Sequence, residues 1–168
     1  MTAKRKPRGS LARLDVLEEA RALRAEEVRA ANWAHIEAAE ARLSARDRAA
    51  WQDAVAVTGG EDPDILDRMR KACAHLPTLP DLPHSAKEEA EAWGAVALER
   101  PDGEPLLCPP ADRVPAFVAY FEVCAAWCDR EAVRVPLSLD VQRLARWGAV
   151  LWRFEAALCE VLGGSHDD

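Results

Sequence analysis

The first third of the chain carries one stripe of apolar positions that recurs at three- and four-residue steps. This spacing is typical of an amphipathic helix, and it predicts a helix from about residue 11 to about residue 57 with Ser10 as its N-cap. At about 1.5 Å per residue such a helix would be about 70 Å long, so it either breaks or projects beyond a small domain. A break is expected near Ser44, which resembles the start of a capping box with Asp47. The stripe consists of Leu14, Leu17, Ala25, Val28, Ile36, Ala39 and Leu43.

The middle of the chain alternates between helical patterns and proline-rich stretches. Residues 62–76 predict a second helix with one apolar face. Residues 77–83 contain three prolines and predict an extended connector. Residues 85–99 open with a capping box and predict another helix, and residues 100–112 predict a loop. The side chains that we expect to point inward from residues 85–99 are Trp93, Val96 and Ala97.

The strongest core signal lies in the last third of the chain. A wide apolar stripe predicts a helix from about residue 112 to 134, and a leucine stripe predicts another from about residue 138 until two glycines end it. Alternating strand patterns are nearly absent. The sequence therefore predicts an all-α fold, with a long alanine-rich N-terminal helix or helical hairpin followed by a small C-terminal helical bundle. We expect a disordered basic arm at residues 1–10, an N-terminal helical arm at residues 11–76 and the bundle at residues 84–164.

The net charge of −7 is unevenly distributed. Residues 1–57 hold 11 Lys and Arg against 9 Asp and Glu, whereas residues 58–168 hold 11 against 20. A short basic arm can hold nucleic-acid phosphates through counterion release, and a solubilising tail is the alternative interpretation. The acidic remainder argues against DNA binding by the whole surface. The candidate nucleic-acid-binding residues of the arm are Lys4, Arg5, Lys6 and Arg8.

The sequence contains no strong catalytic motif. Cys124 and Cys128 are four residues apart on one helical face and could share a metal ion with His75 or His84. They also lie on an apolar stripe with aromatic residues, and we favour small buried side chains as their role. We therefore predict no enzyme activity, no cofactor and no bound metal.

The composition indicates a globular chain rather than a disordered one. Hydrophobic residues make up 49% and charged residues 30% of the 168 positions. No apolar run approaches the roughly 18–20 residues that a membrane span needs, so we expect a cytoplasmic protein with no membrane partner. The odd number of five cysteines argues against a disulfide framework.

Six tryptophans against one tyrosine are the unusual feature of the composition. Trp147 and Trp152 lie off the leucine stripe of the last helix, which indicates that this helix has two occupied faces. Trp33 and Trp51 fall on the alanine-rich segment, where little core is evident, and aromatic side chains are favoured anchors at interfaces. Ordinary core packing of all six is the alternative. We predict a homo-oligomer with interface residues Val28, Trp33, Ile36 and Trp51.

One segment of the chain resembles a known family. The sequence SAKEEAEAWG at residues 85–94 follows Leu-Pro-His and precedes Pro-Ala-Asp and a helix that bears Tyr120. A proline-led helix with a central tryptophan, an acid-started helix after it and a basic N-terminal arm are together similar to bacteriophage terminase small subunits, over roughly residues 82–130. The resemblance implies a ring-forming, non-enzymatic subunit that recognises viral DNA and presents it to an ATPase partner. The chain shows no helix-turn-helix with a basic recognition helix, so the implied DNA contact falls on the N-terminal arm.

These patterns predict a non-enzymatic helical assembly or adaptor protein. The resemblance to terminase small subunits implies that it would oligomerise and contact DNA as a phage DNA-packaging subunit. The alternative is an acidic protein-binding regulator or inhibitor that acts on a basic partner protein. Alanine buries little area per contact, so the N-terminal segment is expected to need a partner in the same chain or in another copy.

Overall fold

The protein is all-α, as predicted. The computed structural model describes residues 9–58, 84–98, 103–133 and 139–164, and these residues form five α-helices and no strand. None of the helices in these ranges is long and apolar enough to cross a membrane. The helices are α1 (Gly9–Arg42), α2 (Ala45–Thr58), α3 (His84–Leu98), α4 (Val114–Ala132) and α5 (Leu139–Gly164).

The predicted break in the N-terminal helix is confirmed at Ser44. Helix α1 ends two residues before it, and α2 begins directly after it. The Ser44 hydroxyl accepts the backbone N–H of Asp47 at 3.1 Å and donates to Asp47 Oδ2 at 2.6 Å, which caps α2. The Arg48 guanidinium donates to the carbonyls of Ala41 and Leu43, at the end of α1.

The structure describes only some of the residues for which the other N-terminal predictions were made. Helix α1 begins at Gly9, one residue before the predicted cap, so Ser10 lies in its first turn. Residues 1–8 of the arm predicted at residues 1–10 lie outside the described residues, as do the predicted helix at residues 62–76 and the predicted connector at residues 77–83. Residues 9 and 10 belong to α1.

Helix α5 forms the centre of the core. From residue 147 to residue 159 every position of α5 except Arg153 is buried. Helix α4 packs along it in the antiparallel direction, since Val114 meets Gly163 and Phe121 stacks on Trp152 with ring centroids 5.7 Å apart. The apolar stripes predicted for the last two helices therefore form this contact.

Helices α1 and α2 cover a second side of α5. The Trp51 ring stacks on Phe154 with centroids 4.4 Å apart, and Ala39 and Leu43 belong to the same buried cluster. The two occupied faces predicted for α5 are thus both present. The C-terminal half of α1 packs on a core within its own chain.

Helix α3 packs on α4 through one face. Ala90, Trp93 and Ala97 are buried, and the Trp93 ring lies 6.1 Å from that of Phe121. The prediction that Val96 points inward is wrong, because its exposure is 43%. The buried positions are spaced three and four residues apart, and Val96 lies about 100° around the helix from Ala97.

A side-chain amide ties the loop after α3 to α1. The Asn32 amide donates from Nδ2 to the Glu104 carbonyl at 2.8 Å, and its Oδ1 accepts the N–H of Leu106 at 3.0 Å. The Trp93 indole donates to the Leu107 carbonyl at 2.9 Å. The loop is thereby fixed to α1 on one side and to α3 on the other.

The contact at Gly163 predicts how the last turn of α5 responds to substitution. A Cβ atom at Gly163 would lie 2.5 Å from Val114 Cγ2, whereas a Cβ atom at Gly164 would meet no atom within 4 Å. We expect Gly163→Ala to lower the free energy of unfolding by about 1–3 kcal/mol, because α4 must shift to admit the methyl group. Gly164→Ala, the matched control, should change it by less than about 0.5 kcal/mol. Urea denaturation followed by circular dichroism measures both, and equal losses would contradict the contact.

Candidate functional site

The residues singled out from the sequence fall into two groups. The candidate interface residues lie on α1 and α2, within the described part of the chain. The candidate nucleic-acid-binding residues lie outside it: Lys4, Arg5, Lys6 and Arg8.

The structure separates the four candidate interface residues. Ile36 packs against the core, and Trp51 stacks within the chain and donates from Nε1 to Glu40 Oε1 at 2.7 Å. Val28 is half-buried. Trp33 is 62% exposed. Of the four, Trp33 is the residue that offers most of its side chain to a partner.

Trp33 lies beside an exposed surface that runs along α1, which we call the outer face. Its positions recur at three- and four-residue steps, within about 40° of one line along the helix. All of them are exposed, and they lie opposite the side through which Ile36, Ala39 and Leu43 meet the core. The outer face consists of Val16, Ala20, Leu23, Glu27, Ala30, Ala34, Ala38 and Ala41.

Residues 16–24 of α1 are exposed at every position. The exposures of Val16, Leu17 and Leu23 are 62%, 65% and 63%. Ala25 is the first residue after this stretch that other described residues partly bury, and it lies beside Gly103 in the loop after α3. Single exposed apolar side chains are common, but several large ones close together on one helix indicate an interaction surface.

Residues of opposite charge flank the outer face. In a heptad description the outer face supplies the d and a positions from Val16 to Ala34, and its two flanks are the g and e positions. The acidic flank carries Glu19, Glu26 and Trp33 at g, and the other flank carries Leu17 and Arg24 at e. All five side chains are exposed.

Sequence reasoning missed most of this surface. Leu17 belongs to the predicted apolar stripe, yet its side chain is 65% exposed, because the core of the described residues does not extend to the first turns of α1. Val16 and Leu23 were not singled out. The available signal was a second apolar spacing, in which Val16, Ala20 and Leu23 follow each other at steps of four and three residues.

A cleft of about 400 Å³ lies between α2 and α5. Arg143 Nη2 lies 2.9 Å from both carboxylate oxygens of Asp53, and the guanidinium stacks over the Trp147 ring at 4.8 Å. The Trp147 indole also donates to Asp53 at 3.2 Å. Since Asp53 compensates the charge of Arg143, we interpret the group as a clamp between α2 and α5 rather than as an anion site.

The cysteines of the bundle lie in the core. Cys124 and Cys128 are each 1% exposed, which confirms their interpretation as small buried side chains. Among the described residues no group of three His, Cys, Asp or Glu side chains is placed to hold a metal ion. Burial, together with the nearby charge of Glu160, raises the pKa of Cys159 to about 12.

Comparisons with known proteins give no match. No family model, no curated protein and no solved structure is similar to the chain. A proposal about function therefore rests on the residues of the chain itself.

The burial of three cysteines predicts their reactivity. Cys108 is exposed, whereas Cys124, Cys128 and Cys159 are buried. The thiolate is the reacting form, and a pKa of about 12 keeps Cys159 protonated in mildly alkaline buffer. We expect iodoacetamide at about pH 8 to alkylate Cys108 of the native protein at least about tenfold faster than Cys159, as measured by peptide mass spectrometry. In denaturant the two should react at similar rates, and equal rates in the native protein would contradict the burial.

Proposed function

We propose that this chain is a non-enzymatic helical assembly or adaptor protein that acts in the cytoplasm and associates through the outer face of α1. The observation that carries the proposal is the exposure of Val16, Leu17 and Leu23, each above 60%, on a stretch of helix without cover from the described chain. Full burial of one such side chain contributes about 1.5–3 kcal/mol. A partner helix laid against this stretch would gain a share of that free energy from each residue it covers.

The remainder of the chain supports the role of a scaffold for this surface. Helix α1 is fixed to α5 through Ile36, Ala39 and Leu43, and to the loop after α3 through Asn32. These contacts lie on the side of α1 opposite the outer face. The outer face is therefore held in a fixed orientation. This reduces the loss of conformational entropy when a partner binds.

The resemblance to terminase small subunits extends the proposal to phage DNA packaging. One arm with four positive charges contacts DNA weakly and without sequence preference. Copies joined through α1 would bring two or more arms to one duplex, and linked weak contacts bind far more tightly than one. Assembly and DNA contact are thus coupled in this proposal through Lys4, Arg5, Lys6 and Arg8.

Association is tested by placing a charge on the outer face. We expect Leu23→Glu to weaken self-association of the full chain by at least about tenfold, because a carboxylate would have to be desolvated in the contact. Val133→Glu is the matched control, since Val133 is 70% exposed but lies off α1. Sedimentation velocity over a concentration series measures both variants. A wild-type chain that remains monomeric throughout, or equal effects of the two substitutions, would overturn the proposal.

DNA contact is tested by its dependence on salt. If the four arm charges contact phosphates, the logarithm of the binding constant should fall with the logarithm of salt concentration with a slope of about −3.6 per bound copy. Fluorescence anisotropy with a labelled duplex measures this slope, and replacing all four basic residues of the arm by glutamine should abolish it. Leu23→Glu should weaken binding through lost avidity and keep the slope per copy. Binding that persists in the glutamine variant would contradict a contact through the arm.

A further inference from the structure

The charges that flank the outer face indicate how two α1 helices would meet. We infer that a second copy of this chain is the partner of the outer face, and that the two α1 helices lie parallel and in register. The inference rests on the proposed function, because it takes association through the outer face as given and adds the identity and direction of the partner.

The direction follows from the geometry of paired helices. In a parallel pair the g flank of each helix faces the e flank of the other. In an antiparallel pair the g flank faces the g flank of the other helix, and the e flank faces the e flank. A parallel pair therefore sets Glu19 against Arg24 of the second copy, and twofold symmetry makes this contact twice. An antiparallel pair sets the acidic flank, with Glu19 and Glu26, against a second acidic flank. Charge complementarity thus favours the parallel arrangement.

The same register accounts for the exposure of Trp33. A residue at g faces the residue five positions later on the second helix, as Glu19 faces Arg24. The counterpart of Trp33 is then Ala38 of the second copy, beside the small side chain of Ala34. The indole can cover both of these alanines, so a side chain that is 62% exposed in the single chain gains a contact in the pair.

Glu27 limits the strength of the pair. It is the one charged residue of the outer face, and in a parallel pair in register it faces Glu27 of the second copy. Like charges at this position repel, so the apolar contact is concentrated at Val16, Ala20 and Leu23. We expect a reversible association that forms and dissociates with concentration rather than a permanent dimer.

Reversing the charge of Glu19 or of Arg24 tests the parallel orientation of the two α1 helices. Glu19→Arg sets a basic side chain against Arg24 of the second copy, and Arg24→Glu sets an acidic side chain against Glu19 of the second copy. Each variant alone should therefore associate at least about fivefold more weakly than the wild type at low salt. An equimolar mixture restores both attractive contacts in the heterodimer, and its affinity should return to within about twofold of the wild type. Sedimentation of one variant carrying a fluorescent label, with and without the other, measures this. Glu18→Arg is the matched control, since Glu18 is exposed on the same helix but lies off the outer face and its flanks.

Substitution of Glu27 tests the register. We expect Glu27→Leu to tighten association at least about tenfold, because it replaces a repelling pair by an apolar layer. Glu18→Leu adds the same apolar surface away from the outer face and should leave the affinity within about twofold of the wild type. Circular dichroism checks that each variant keeps its helix content. Equal gains for both leucine variants would overturn the register.

The outcomes distinguish the inference from the proposed function. If the wild type associates and Leu23→Glu prevents it, but the mixed charge variants do not recover, the parallel orientation is wrong and the proposed function stands. If the wild type is monomeric at every concentration, both fail. Recovery in the mixture together with a gain confined to Glu27→Leu supports a parallel pair in register.

Discussion

Helix α5 is apolar on almost every side of its second half, and this constraint organises the rest of the fold. A helix of this kind cannot be stable with any side in water, so other elements must surround it. Helix α4 takes one side, and α1 with α2 take another. Two charged residues interrupt this apolar stretch, Arg153 and the buried Glu155. The Arg153 guanidinium donates to Asp47 on α2 and Asp129 on α4. Burial alone would lower the pKa of Arg153, but the two carboxylates raise it, so one compensated charge connects three helices.

The alanine-rich composition of α1 has different consequences at its two ends. Near Ala39 the absence of bulk lets the helix lie close against α5, so small side chains contribute to a buried core. Between residues 16 and 24 three large apolar side chains are exposed among alanines and charged residues. The helix is continuous from one environment to the other, with no proline or glycine after its first residue to separate them. One helix therefore combines a structural segment and a segment suited to binding.

Features that depend on neighbouring residues could be predicted from the sequence, and features that depend on distant contacts could not. The Ser44 cap and the stripes of α4 and α5 involve residues a few positions apart, so their spacing indicated them correctly. The pairing of Asn32 with a loop 72 residues away left no local signal, because an asparagine in a helix usually faces water. Trp51 was uncertain between core and interface for the same reason, since its partner Phe154 lies in the last helix. The exposure of Leu17 could not be predicted, because a stripe shows which side of a helix is apolar but not where the core beneath it ends.

The central position of α5 also affects the order in which the chain can fold during synthesis. Helices α1 and α2 are synthesised before α5, yet their core contacts are made with α5, as the stacking of Trp51 on Phe154 shows. Until α5 is made, Trp51 has no Phe154 on which to stack, and Ala39 and Leu43 lack most of the core that buries them. The N-terminal helices therefore remain without this core until α5 is synthesised, and α5, the last described helix, completes it for all of them.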